Sequence, residues 1–132
     1  MSKENYFTER DARNIATIEK IIAEDLPDFT EEYFVGISSR TTTLTRLNYA
    51  YDLRTFFQYI SRKIPRFKTK STKGITPADL ESLSPFEIEA FLNHVALYKD
   101  ENGKLMKNSE RGKSRKLSAI RSLLHYFEKK QV

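Results

Sequence analysis

Residues 43–64 read TLTRLNYAYDLRTFFQYISRKI, and the apolar side chains in this stretch recur at steps of three and four. The members of the repeat are Tyr49, Leu53, Phe56, Phe57, Ile60 and Ile64. Such a repeat places one broad apolar stripe along an α-helix, which is typical of a helix packed on a core. Because Pro65 lacks the N–H that would continue the helix, the stretch predicts a helix over about 43–63.

Helical patterns also precede this stretch. Three isoleucines share one helix face, namely Ile15, Ile18 and Ile22. They predict a helix over about 10–24, which the following Asp-Leu-Pro sequence ends. Residues 29–35 predict one more helical turn, with the aromatic anchors Phe29, Tyr33 and Phe34 and with Gly36 as its terminator.

Two stretches in the middle of the chain carry helix-start signals. In TPAD (76–79) and SPFE (84–87), a capping residue precedes a proline, and an acid follows at the third helical position. They predict a short helix and a second one that runs to about Tyr98, whose buried residues are Ile88, Phe91, Leu92 and Val95. The preceding stretch, Ser61–Gly74, has six basic residues and no acidic one, which predicts an exposed connector.

The C-terminal part predicts a turn, a loop and a last helix. DENG (100–103) has the composition of a turn, and the polar residues around it predict a loop over 99–112. The last helix is predicted over 112–129, and its buried residues are Leu117, Ile120, Leu124 and Phe127. A polar, largely basic stripe is predicted opposite them, made of Arg111, Arg115, Ser118, Ser122, His125 and Lys129. The predicted fold class is therefore all-α, a compact bundle of four core helices plus an extra N-terminal helix.

Composition narrows the class of protein. The 132 residues include four Gly, four Pro and no Cys, so a helical domain is favoured, and disulfides, thiolate zinc sites and a cysteine nucleophile are excluded. The chain has no apolar run of membrane-spanning length and no signal-peptide pattern at its N-terminus. We therefore expect no membrane partner and a cytoplasmic location.

Charge is distributed unevenly along the chain. Residues 1–36 hold four basic and nine acidic side chains, whereas the rest holds 19 basic and nine acidic side chains. The net charge of +5 thus combines an acidic N-terminal part with a strongly basic remainder. A basic surface of this kind favours an anionic partner.

Residues for catalysis or cofactor binding are not evident. His94 and His125 lie on separate predicted helices without a second ligand at metal spacing, and GKS (112–114) lacks the earlier glycine of a phosphate-binding loop. No nucleophile motif is present either. We expect no catalytic residues, no metal and no cofactor.

Two predicted helix starts combine basic and hydroxyl side chains. At the first, four threonines within 41–45 accompany Arg40 and Arg46, and the pattern alone leaves a phosphate site and a simple helix cap equally open. At the second, six basic residues and three serines are concentrated between Lys107 and Arg121. Two helix ends of this kind favour duplex DNA.

Charge and spacing alone assign Arg111, Lys113 and Ser114 to the predicted DNA-binding surface, with Lys107 and Lys116 nearby. A helical protein-interaction adaptor with a merely solvated basic face, and an RNA-binding domain, remain the alternatives.

Four stretches, taken in order, resemble a known family. TRLNYAYDL (45–53), ITPADL (75–80), IEAFL (88–92) and RKLSAIRSLLHYF (115–127) resemble the four helices of the core-binding domain of tyrosine recombinases, also called phage integrases. The resemblance covers about 38–130. It divides the chain into an acidic N-terminal helical extension over 1–37 and a core-binding domain over 38–132. The extension and the 99–112 loop are similar to those of longer Xer-type recombinases, and integrases of mobile elements are an equal possibility.

The resemblance implies a SAM-like helical domain that binds duplex DNA. In the family a separate C-terminal domain performs strand exchange, and that domain is absent from this chain. The full-length parent is expected to be a tyrosine recombinase that self-associates on DNA as a tetramer, whereas the isolated domain is expected to be monomeric. The matching DNA-facing positions are Thr43, Thr45, Arg46, Arg115, Ser118 and Arg121. One departure is Gly112, where the family often has Ser or Thr, and Ser109 or Ser114 is the possible substitute.

Overall fold

The computed structural model describes the backbone of residues 3–130 and the side chains of residues 9–128. Helices account for 74% of the chain, so the predicted all-α bundle is confirmed. The elements are α1 (Lys3–Asp25), α2 (Thr30–Gly36), α3 (Thr43–Lys63), α4 (Pro77–Glu81), α5 (Pro85–Val95), β1 (Leu97–Lys99), β2 (Leu105–Lys107) and α6 (Glu110–Lys130). Single 3₁₀ turns lie at Ser38–Arg40, Pro65–Phe67 and Thr72–Gly74. None of the helices within the described residues is both long and apolar enough to cross a membrane.

Helix α3 is the centre of the bundle. It spans the predicted range, and Leu53, Phe56, Phe57 and Ile60 on its apolar stripe are each at most 1% exposed. The ring of Phe56 packs edge-on against Phe91 of α5 at a centroid distance of 5.1 Å. The predicted core position is therefore confirmed for most of the stripe, and only Tyr49 stays half-buried.

Helix α1 is longer than predicted and packs against the same core. Ile18 and Ile21 are each 4% exposed, whereas Ile15, predicted to be buried, is 42% exposed. The spacing of Ile15 and Ile18 is compatible with one face, but Ile18, Ile21 and Ile22 are the residues that meet the bundle. The helix thus contributes to the common core rather than standing apart from it.

Gly36 ends α2 as predicted, but the predicted reason, a left-handed backbone at the helix end, is wrong. Gly36 is the last residue of α2, but its backbone is not left-handed. A Cβ atom at this position would overlap the ring of Tyr126 from α6. Glycine is therefore required because two helices approach closely, not because the helix end needs a positive φ.

The connector Ser61–Gly74 is less exposed than its composition predicts. Phe67 is 2% exposed and anchors a 3₁₀ turn, and Arg66 forms a bidentate ion pair with Glu87 at the start of α5. Glu87 also accepts from the backbone N–H of Ser84, which completes the predicted capping box. The Arg66 guanidinium holds the pKa of Glu87 at about 2. Apolar and charged side chains thus both fasten this segment to the bundle.

A β-hairpin replaces most of the loop predicted over 99–112. Helix α5 ends at Val95 rather than near Tyr98, and strands β1 and β2 pair antiparallel with Tyr98 opposite Met106. The predicted turn between them is confirmed, and Gly103 adopts a φ of 80° there. The propensity for a turn was visible in the sequence, but the three-residue strands were too short to be recognised.

Helix α6 begins two residues earlier than predicted, at Glu110. Ser109 caps it by accepting from the backbone N–H of Gly112, so Ser109 rather than Ser114 occupies the capping position. The buried face is also rotated from the predicted one: Ala119, Ile120 and Leu123 are at most 1% exposed, whereas Leu117, Leu124 and Phe127 are half-buried. The side chain of Lys129, part of the predicted polar stripe, lies outside the described residues.

Candidate nucleic-acid interface

A buried carboxylate joins the middle of α3 to the first turns of α6. The Asp52 side chain is 1% exposed and accepts hydrogen bonds from Nε and Nη2 of Arg115, both at 3.0 Å. It also accepts from Nζ of Lys116 at 3.0 Å. Both carboxylate oxygens therefore have charged donors, which compensate the cost of removing a carboxylate from water. Hydrogen bonding to Asp52 raises the pKa of Arg115.

The three groups of this cluster leave one positive charge uncompensated. The Lys116 side chain is only 7% exposed, whereas that of Arg115 is 49% exposed. Two of the N–H donors of the guanidinium are used by Asp52, and an arginine carries further donors for a second acceptor. The excess positive charge therefore lies on the solvent-exposed guanidinium of Arg115. Its hydrogen bonds to Asp52 fix the orientation of this group.

The exposed face of α6 continues this positive surface. From Arg111 to Phe127 the helix contains no acidic residue. Arg111, Ser118 and Arg121 are exposed, and no carboxylate among the described side chains forms an ion pair with either of these two arginines. Ser118 donates to the carbonyl of Ser114 and keeps its oxygen as an acceptor. These side chains lie where a phosphate backbone could contact them.

Lys113 and Lys116 do not share this exposure. Lys113 pairs with Glu110 at 3.2 Å, and its side chain is only 22% exposed. Lys116, which the sequence analysis placed near the basic surface, is buried on Asp52. Two of the six basic residues predicted for this region therefore have a carboxylate partner and little exposure.

The start of α3 differs from the site expected there. Thr42 caps the helix by accepting from the backbone N–H of Thr45, and its hydroxyl donates to the Thr45 hydroxyl. Thr43 donates to Asp11 and accepts from Asn14, both on α1. Arg46 donates to the backbone carbonyls of Ser38 and Thr41. These partners secure the entry to α3, and DNA contact by Thr43, Thr45 or Arg46 stays a prediction.

Helix geometry separates these residues into two groups. Thr45 lies seven residues before Asp52, so the two share a face of α3 about 10 Å apart. Thr45 is therefore on the same side of the helix as Arg115. Thr43 lies nine residues before Asp52, which places it on the opposite face, against α1. Helical periodicity thus places Thr45 on the side of α3 that faces α6, whereas Thr43 contacts α1.

Sequence reasoning missed the role of Asp52. A detectable signal existed, because Asp52 falls between Tyr49 and Phe56 at the spacing of the apolar stripe. A carboxylate at such a position predicts a buried ion pair. Lys116 carries the same signal on α6, three residues before the buried Ala119. A charged residue at an apolar-stripe position of a helix is therefore more readily assigned to a buried ion pair than to contact with a ligand.

The two histidines do not form a metal site in this structure. The His94 ring lies between Tyr59 and Tyr98 and is tilted against both, at centroid distances of 4.9 and 5.2 Å. Burial and the nearby Lys63 lower the pKa of His94. His125 is exposed on α6. Among the described residues, no group of three or more His, Cys, Asp or Glu side chains is placed to hold a metal ion.

Comparison of the chain with protein-family models, with curated proteins and with solved structures found no match. The candidate interface therefore rests on the structure of this chain alone. It is the exposed basic face of α6, on which the buried carboxylate of Asp52 from α3 binds Arg115.

Proposed function

We propose that the chain binds duplex DNA through the exposed face of α6, as the non-catalytic core-binding domain of a cytoplasmic tyrosine recombinase or integrase. The observation that carries the proposal is the half-exposed Arg115, held by a carboxylate that two cations share. A pre-oriented arginine with a surplus charge is suited to a phosphate, because little side-chain freedom is lost on contact.

The dimensions of the surface support duplex DNA as the ligand. Arg111 and Arg121 are ten residues apart, which corresponds to about 15 Å along the helix. That length spans about four phosphates on one strand of a duplex. The helix could also enter a major groove, which is wide enough for one α-helix. Arg115 and Ser118 lie between the two arginines on the same helix.

The proposal that the chain is a core-binding domain is supported by a contact between two of the stretches that resemble this family. Asp52 belongs to the stretch that resembles the first core-binding helix, and Arg115 begins the stretch that resembles the last one. The ion pair between them links these stretches in one structural unit. Strand exchange and tetramer formation would belong to the full-length parent protein.

A second candidate function is protein interaction through α2. Val35 is 70% exposed, and Asp28 and Glu31 are exposed beside it. An apolar residue rimmed by acids suits a basic protein partner. This surface is separate from α6, so both functions could be tested on the same chain.

The experiment compares two matched charge reversals by fluorescence anisotropy on a labelled duplex. Arg111→Glu with Arg121→Glu alters α6, and Arg13→Glu with Lys20→Glu makes the same charge change on exposed positions of α1. We expect the α6 variant to weaken binding by about tenfold or more and the α1 variant to change it much less, because phosphate contacts are local at moderate salt. Arg115 is left intact because a glutamate there would face Asp52.

Equal weakening by both variants would contradict the proposal, because binding would then depend on the net charge of the chain and not on the α6 surface. Unlabelled RNA and unlabelled duplex DNA are then compared as competitors against the wild-type complex. RNA that competes better than duplex DNA would favour the RNA-binding alternative.

A further inference from the structure

The β-hairpin between α5 and α6 has one face on the body and one face in solvent. Tyr98 and Met106 are paired across the strands, and both are half-buried. The alternate positions on both strands are exposed, namely Leu97, Lys99, Leu105 and Lys107. This alternation is that of a strand pair packed on one side only.

The outer face of the hairpin combines cations with apolar side chains. Leu97 is 56% exposed and pairs with Lys107, and Leu105 is 60% exposed and pairs with Lys99. Lys104 adds a third cation at the turn. Among the described side chains, no carboxylate forms an ion pair with any of these three lysines. The hairpin therefore carries, within eleven residues, three lysines without an ion-pair partner in the described part of the chain.

The two acids of the turn have other partners. Asp100 Oδ1 accepts from the backbone N–H groups of Asn102 and Lys104, each at 2.9 Å, and so shapes the turn. Glu101 lies 3.9 Å from Arg62 of α3. Neither acid forms an ion pair with a lysine of the hairpin, so the lysine ammonium groups are available to a ligand that approaches from solvent.

The hairpin is fixed directly to the start of α6. Asn108 follows β2, and its backbone N–H and its side-chain amide donate to the carbonyls of Ala96 and Val95 at 3.3 and 2.8 Å. Ser109 comes next and caps α6. The hairpin thus lies directly beside the start of α6, and each of its three-residue strands is about 10 Å long.

We propose that this hairpin is a second DNA-contacting arm, which places its lysines on phosphates beyond the segment that α6 contacts and its leucines against the sugars or base edges. The inference rests on the proposed function of α6. Duplex DNA is favoured over a protein partner because the surface has three unpaired cations and only two exposed apolar side chains, too small an apolar area for a stable protein interface. A two-stranded β-ribbon also fits a major groove.

The absence of cysteine from the sequence provides a direct test of proximity. Single cysteines are introduced as Asn102→Cys at the hairpin turn, Ser118→Cys on α6 and Glu24→Cys on the exposed side of α1, and each is labelled with a photo-crosslinker. We expect the first two to crosslink to a bound duplex at different positions and the third to give no crosslink.

The results separate the two proposals. Crosslinks from Ser118→Cys without any from Asn102→Cys would overturn the hairpin inference and leave the proposed function of α6 standing. No crosslink from Ser118→Cys would count against both. Crosslinking of Asn102→Cys to a second copy of the chain instead of DNA would also overturn the inference and assign the hairpin to protein contact.

A salt titration tests whether the lysines contact phosphates. Lys99→Ala with Lys107→Ala removes two charges from the hairpin, and Arg13→Ala with Lys20→Ala removes two from α1. We expect the slope of log K against log salt to become shallower by about 2 in the hairpin variant, because each lost phosphate contact changes it by about 0.9. An unchanged slope, in a variant that still binds DNA and unfolds like the wild type, would overturn the inference.

Discussion

Asp52 occupies a core position of α3, where a carboxylate destabilises the fold unless charged donors surround it. Its partners come from α6, more than sixty residues later in the chain. This single side chain therefore connects folding to the candidate interface: it stabilises the packing of α3 on α6 and also orients Arg115. Stability and binding should respond together when it is changed.

The first prediction concerns that cluster. Asp52→Asn should lower the free energy of unfolding by about 3–5 kcal/mol, because it leaves the buried charge of Lys116 uncompensated. Urea unfolding followed by circular dichroism measures this. Lys116→Met in the same variant should recover part of the loss, since no buried cation remains. A cost below about 1 kcal/mol for Asp52→Asn would contradict the assigned role.

The second prediction concerns Glu87 and pH. Its pKa is about 2 in the fold against an ordinary value of 4.5, because the Arg66 guanidinium and the backbone N–H of Ser84 stabilise the carboxylate. The folded chain therefore binds this proton less tightly than the unfolded chain, so the stabilisation is complete above about pH 4.5 and disappears as the pH falls toward 2. Glu87→Gln should keep the cap but show a smaller fall in melting temperature between neutral and acidic pH. Equal falls in the two proteins would contradict the assignment.

The residue scale also shows what sequence alone could predict. The exposed positions of Arg111, Ser118 and Arg121 follow from helical periodicity, because a helix has one buried face. The pairing of Lys113 with Glu110 is a local contact within α6, whereas the burial of Lys116 on Asp52 depends on tertiary packing. Charge counting includes neither contact and therefore overestimated the available surface. Thr43 is similar: local sequence allows a phosphate contact, but the packing of α1 supplies Asp11 and Asn14 instead.

At the scale of elements, α2 and α6 approach closely at Gly36. Tyr126 packs over this glycine and edge-on against Tyr33, whose hydroxyl lies 2.7 Å from that of Ser122. Burial raises the pKa of Tyr33 to about 12. Aromatic packing and one buried hydroxyl pair thus define how the two helices fit together.

The third prediction tests that contact. Gly36→Ala should destabilise the chain by about 1–3 kcal/mol, because the new methyl group overlaps the Tyr126 ring. In a Tyr126→Leu background the same substitution should cost less, since the flat ring is gone. A double-mutant cycle by chemical denaturation measures the difference. The same cost in both backgrounds would show that the glycine is needed for another reason.

The long helices and the starts of α4 and α5 were the predictable part of the fold. Helix α3 has five nearly fully buried residues in one register, and the starts of α4 and α5 have capping boxes that the structure contains. The hairpin was not predicted, because strands of three residues carry little periodicity and depend on packing of Tyr98 and Met106 against the body. The proposed arm could therefore not be recognised before the structure.

At the scale of the whole molecule, the acidic N-terminal part is integrated into the bundle. Ile18, Ile21 and Leu26 are buried in the same cluster as the residues of α3 and α6. Lys73 also reaches across to the carbonyl of Ile22. The division at residue 37 predicted from charge and resemblance thus does not correspond to a gap in the hydrophobic core.

The fourth prediction follows from this integration. A chain of residues 38–132 should lose the cooperative thermal transition or melt at a clearly lower temperature than the full chain, because removal of α1 exposes its apolar contact surface on α3. Circular dichroism melting of the two chains measures this. An unchanged melting temperature would instead support an independent N-terminal extension.

Charge is distributed unevenly over the whole molecule. Half of the 18 acidic side chains lie in residues 1–36. Within the described residues, basic side chains without an ion-pair partner lie on α6 and the hairpin, and also at Arg13 and Lys20 of α1. A polyanion should therefore be attracted more strongly to the α6 and hairpin surfaces than to the acidic residues of α1 and α2. This asymmetry is why local variants, and not net charge alone, are decisive in the proposed experiments.

The most direct test of the central claim is the affinity of the wild-type chain for a duplex, measured by anisotropy at several salt concentrations from about 50 mM upward. Three or more phosphate contacts predict a slope of log K against log salt of about −3 or steeper. Undetectable binding at the lowest salt, or an affinity that does not fall as salt rises, would contradict duplex DNA binding by this surface.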